Sequence, residues 1–213
     1  MKDRVKLTQA AIITALAIVL SLATVYVPFL GLLVFAIPVP YAIIATITGG
    51  KYALISAVAS FFIMMFAVDP MYSLSLTIMT VLPGITVGYM ISKETTEEEK
   101  NFKPIYLGTV AYMVSMMAFV GLSKLFFKID LIGQFIDLMK VSLETQLSIM
   151  QSAQLNVKDS ISLVDMISIM KNMLPAILFF YSIISASITY YLEAFILRRI
   201  KKLNVNLPKF TEF

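Results

Sequence analysis

Residues 8–27 read TQAAIITALAIVLSLATVYV, and this run decides the architecture. It carries no charge over 20 residues. As a helix rising ~1.5 Å per residue, it matches the ~30 Å hydrocarbon core of a bilayer. Lys2, Arg4 and Lys6 precede it, and a basic leader favours the cytoplasmic side. The apolar stretch outruns the roughly 7–15 residues of a signal-peptide core and lacks a small-x-small exit, so it reads as an uncleaved first span. One face is built of small residues, Ala11 and Ala15 four apart with Ala10, Thr14 and Ala17 around them. A second helix can approach closely there.

Composition agrees. Hydrophobic residues make up 59% of the 213 and charged residues 14%, with a mean hydropathy of +0.88, outside the range of soluble globular domains. The expected fold class is all-α: a polytopic membrane bundle of six transmembrane helices, forming a single integral-membrane domain over residues 1–213. The formal net charge of +4 does not point to nucleic acid. Basic residues gather at span ends, where lipid headgroups and the positive-inside bias account for them. There are no cysteines and no histidines. Disulfides, thiolate nucleophiles, HExxH zinc sites and Ser-His dyads are thereby excluded. No enzyme, cofactor or metal function is expected.

Outward from the first run, further spans are expected at residues 32–48, 52–68, 71–91, 104–127 and 174–197. Pro38 and Pro40 in the second predict a kink or a partly broken helix, because proline lacks the amide donor and clashes with the preceding turn. Asp69-Pro70 is a turn signal. Gly84 and Gly88 in the fourth span form a GxxxG close-packing pair. Residues 92–103, SKETTEEEKNFK, are a solvated loop.

The segment 128–172 differs. Ile132, Ile136, Met139, Leu143, Leu147 and Met150 fall on one helical stripe, with Asp137, Lys140, Glu144, Ser148 and Gln151 opposite. That predicts an amphipathic helix on the membrane surface or over the mouth of the bundle. A shorter helix, about residues 160–170 with Asp159 or Ser160 as N-cap, is expected before a separate sixth span. With six spans and the N-terminus inside, twelve basic residues face the cytoplasm and five (Lys124, Lys128, Lys140, Lys158, Lys171) the exterior. Both termini are therefore expected to be cytoplasmic in a multi-pass cell-membrane protein, with segment 128–172 outside.

Few residues offer chemistry. Asp69 sits at a span end and reads as a structural turn. Glu193 lies near the basic Arg198-Arg199 end and is expected to snorkel or pair there. The 14 methionines read as flexible packing, and the tyrosines near span ends as interfacial anchors.

Four stretches carry a resemblance: LTQAAIITALAIVL, VPFLGLLVFAIPVPY, LPGITVG and YYLEAFILRRIKKLNVNLPKF. With these the chain resembles the YybS-like bacterial membrane proteins (domain of unknown function 2232). That family is similar in outline to the substrate-binding S components of energy-coupling-factor (ECF) transporters. One departure is that YybS-like chains usually continue past an LPKF-type segment into further spans, where this sequence stops at Phe213. The resemblance implies that Ala11 and Ala15 dock a transmembrane coupling subunit with its ATPases. It also implies a small-molecule pocket near the outer face, among Asp69, Tyr72, Ser75, Lys124, Phe127 and Asn172. No GxxxxGK[ST] motif occurs, so a partner would have to supply energy. Two readings follow: the substrate-binding subunit of a vitamin-type uptake system, or a non-transporting membrane scaffold or envelope assembly factor. A proton-coupled carrier using Glu193 ranks behind both.

Overall fold

The structure, a computed structural model, describes residues 2–94, 102–152 and 163–200. Among these, six stretches are long and apolar enough to cross a membrane: Asp3–Tyr26, Phe29–Thr48, Gly50–Ala67, Pro70–Lys93, Lys103–Phe127 and Ile167–Arg199. The described residues are helical throughout apart from short connections. The chain divides into two compact units, residues 1–119 with 180–213, and residues 120–179.

In the first unit, α1 (Lys2–Tyr26) leads into a nine-residue 3-10 segment, Pro28–Ala36, and then α2 (Pro38–Thr48). The second span thus changes from 3-10 to α geometry at Ile37, whose own backbone stays helical at φ −58°, ψ −38°. Pro38 takes the first-turn position of α2, where a missing amide costs nothing, so the change falls just before it. A 3-10 run of nine residues exceeds the usual three or four. Gly49, at φ 98°, joins α2 directly to α3 (Gly50–Ala67), a backbone angle that a side chain would strain. The fourth span is α4 (Pro70–Leu76), one π-helical turn at Thr77–Val81, and α5 (Leu82–Glu94).

The contact between α2 and α5 is the closest helix crossing that the glycines reveal. A methyl group at Gly84 would stand 2.5 Å from the Pro38 carbonyl oxygen, and one at Gly88 would overlap the Ala42 carbonyl. Each glycine lets α5 rest on the α2 backbone. Gly108 of α6 (Lys103–Phe127) seats that helix similarly, since a methyl there would meet Val87 at 2.7 Å and Ala186 at 3.2 Å. The core lies in two clusters. Ala10, Ala17 and Ile18 of α1 pack with Tyr41, Ile44, Ala53, Ala57 and Met64. Val39, Ile43, Val87, Ile91 and Ile105 pack with Tyr190, Ala194 and Leu197. Helices α1 and α3 are tied at both ends: Tyr52 OH donates to Asp3 Oδ1 at 3.1 Å, and Tyr26 OH donates to the Ala67 carbonyl at 2.9 Å.

In the second unit, α7 (Leu131–Ser152) is capped by Asp130, whose carboxylate accepts the Gly133 amide at 3.1 Å. Ile136, Met139, Leu143 and Leu147 of the expected stripe are half-buried, while Ile132 is exposed. Phe135, Ile136 and Met139 face Ile167, Met170 and Leu174 of α8 (Leu163–Arg199) across a small pocket. Helix α8 runs unbroken over 37 residues, Leu163–Arg199, with Pro175 inside it. The expected short helix and sixth span are therefore one rod. A proline ends a helix only when the freed carbonyl and the ring clash are not absorbed, and here the helix continues through it. At ~55 Å this rod is longer than a bilayer core. The N-caps Asp159 and Ser160 lie outside the described residues.

Candidate functional site

One face of α8 is both polar and buried. Ser182, Ser185, Thr189 and Glu193 recur at steps of three and four, and all four are buried. Across from them, α6 contributes Tyr112. The single proton of Thr189 goes to the Ser185 carbonyl at 2.8 Å, so Tyr112 OH is the donor in its 2.8 Å bond to Thr189 Oγ1. The Ser185 hydroxyl has no hydrogen-bond partner among the described residues.

Two turns toward the basic end of α8, Glu193 is 0% exposed. Its Oε1 lies 2.5 Å from Thr46 Oγ1 on α2, and its Oε2 has no hydrogen-bond partner among the described residues. Thr46 Oγ1 is also 2.7 Å from the Gly88 carbonyl of α5 and 3.1 Å from the Ala42 carbonyl of its own helix. Gly88 sits against α2 because it has no Cβ, and so its carbonyl reaches Thr46. Three helices thus converge on the Thr46 hydroxyl. The expectation that Glu193 snorkels is overturned. The glutamate is on the same face as Ser185 and Thr189, which points inward, and Arg199 lies instead over the Phe195 ring at 5.9 Å. The steps from Ser185 to Thr189 to Glu193 are the signal in the sequence that marks this face as inward and polar.

A second feature lies on the outside of α1. Ala10, Thr14, Ala17 and Ser21 are buried, whereas Ala11 and Ala15 are exposed. The two exposed alanines line a groove of about 240 Å³ between α1 and α3, together with Ser56 and Ala59. A larger groove of about 530 Å³ flanks α1 on its other side, lined by Ile12, Leu16, Val39, Ile43, Leu192 and Ile196 among others.

The six residues expected to form an outer pocket fall in different units. In the first, Asp69 caps α4, its carboxylate accepting the Tyr72 amide at 2.8 Å, and the Ser75 hydroxyl donates to the Tyr72 carbonyl at 2.8 Å. Tyr72 itself packs on the core. In the second, Lys124 and Asn172 are exposed and Phe127 is half-buried. Among the described residues no three acidic side chains cluster in a way that would hold a metal ion.

The sequence family described as "Predicted membrane protein (DUF2232)" matches residues 15–213. No curated protein and no solved structure matches the chain.

Proposed function

We propose a function for a chain that belongs to the DUF2232 family of predicted membrane proteins: it is a small-molecule-binding membrane subunit that docks a partner membrane subunit through α1. The observation that supports this reading is the division of small residues on α1. A lone helix gains nothing from keeping Ala11 and Ala15 on an exposed face, where bilayer-facing positions elsewhere carry Ile12, Leu16 and Val19. Small residues on such a face let another helix approach to backbone contact, where dispersion and weak hydrogen bonds drive association in lipid. The groove they line, with Ala59 and Ser56 on its far wall, continues that surface onto α3. The partner in this reading is a transmembrane coupling subunit with ATPases, and both chain termini are cytoplasmic.

The test is co-purification from native membranes. Ala11→Leu/Ala15→Leu fills the groove and should abolish recovery of a coupling subunit while leaving the fold intact. Unchanged recovery would overturn the docking role. Native mass spectrometry of the same preparation addresses the ligand: a bound vitamin-like molecule supports the reading. The alternative, a scaffold or envelope assembly factor, draws on α7, which keeps Leu138, Val141 and Ile149 exposed. A persistently empty protein that retains an extracytoplasmic partner would favour it.

A further inference from the structure

We propose that Glu193 and Thr46 form a proton-binding site inside the bundle, in which a proton on Glu193 decides whether Thr46 bonds to α5. The argument is a count of hydrogens. Thr46 Oγ1 lies 2.5 Å from Glu193 Oε1 and 2.7 Å from the Gly88 carbonyl, both hydrogen-bond separations. A threonine hydroxyl has one hydrogen, and a carboxylate or a carbonyl has none to give. Two contacts therefore require a second hydrogen, and Glu193 is the group that can carry it. With the acid protonated on Oε1, its O–H donates to Thr46 Oγ1 and the Thr46 O–H donates to Gly88. Oε2 is then a neutral carbonyl oxygen, which tolerates the lack of a partner far better than a carboxylate oxygen.

Among the described residues, Glu193 has a hydrogen bond to Thr46 and no cation pairs with it. On α2 the titratable group is Tyr41, which donates to Ser60 at 2.8 Å. On α5, Lys93 lies over the Tyr89 ring at 4.7 Å. On α6, Tyr112 is bonded to Thr189, and Lys103 and Tyr106 lie at its first turn. On α8, Tyr190 and Tyr191 contact each other edge to face, and Arg199 covers Phe195 while Arg198 stands beside it in the last turn. Among the described residues, the side-chain partner of Glu193 is Thr46.

Release breaks the Glu193 O–H bond, passes the proton to water and leaves a carboxylate. The Thr46 hydrogen then turns to Oε1, and the Gly88 carbonyl loses Thr46 as a donor. Loss of the proton thus removes the Thr46 bond between α2 and α5 and reverses the direction of the one between α2 and α8, at the crossing where α2 and α5 touch through glycine.

Infrared spectroscopy of the full chain in lipid nanodiscs tests this, reading the carboxylic-acid C=O stretch over a pH titration. The expected result is an acid band at neutral pH, insensitive to added Na⁺ or K⁺ and absent in Glu193→Gln. In Thr46→Val that band should move to higher frequency as the hydrogen bond is lost. A neutral-pH spectrum without the band, or replacement of the band by carboxylate on adding Na⁺ or K⁺, would overturn the proposal. If Glu193→Gln does not fold, Thr46→Val decides alone, and an unshifted band counts against the site.

Discussion

Thr46 on α2 and Glu193 on α8 stand 147 positions apart in the chain and bring hydroxyl and carboxyl oxygens to 2.5 Å. An ionisable group at membrane depth is costly to bury, so this one stays only where the fold supplies a partner. The partner comes from a different helix, which makes the pair a tertiary contact.

Thr46→Val should lower stability by about 1–2 kcal/mol, because it strands a buried carboxyl group. Adding Glu193→Leu should return much of that loss, since removing both polar partners is far cheaper than removing one. A double-mutant cycle measured by denaturation in mixed micelles reads the coupling. Purely additive effects would show that the pair does not interact.

Gly88→Ala should cost about 1–3 kcal/mol, because its methyl group would overlap the Ala42 carbonyl and force α2 from α5. Gly84→Ala should behave alike against Pro38. Gly121 on α6 has open space around it, so Gly121→Ala should be neutral or slightly stabilising. Thermal unfolding of the three variants in one detergent gives the comparison, and equal effects would contradict the crossing.

On α1, Ala17→Leu should destabilise by about 1–3 kcal/mol, since Ala17 is fully buried. Ala15→Leu, two residues away on the exposed face, should stay within about 0.5 kcal/mol. The same unfolding assay separates the two faces. A large loss in Ala15→Leu would mean that this surface is already occupied within the chain.

The spans were readable because lipid imposes a simple rule, a long uncharged run, and Thr8–Val27 obeys it. The pairing of Gly84 with Gly88 was readable for the same reason: only a small residue permits backbone contact. The change of helix geometry before Pro38 was half readable. Two prolines announce a disturbance, but the 3-10 path of Pro28–Ala36 is set by what packs around it. The separate sixth span expected at 174–197 is not seen, because the helix arrives from Leu163 and continues through Pro175. Glu193 misled because distance along the chain to Arg198 ignores which side of the helix each occupies. The face shared with Ser185 and Thr189 carried that information. Which helix would supply Thr46 as partner is a tertiary fact with no local trace.

The measurement that tests the six-span arrangement most directly is single-cysteine labelling, for which the native chain offers a background without cysteine. Lys6→Cys and Ser148→Cys, each exposed, are probed in intact cells with a membrane-impermeant maleimide. The expected result is labelling of Ser148→Cys from outside, with Lys6→Cys protected until the membrane is permeabilised. Labelling of both from the same side would contradict the arrangement.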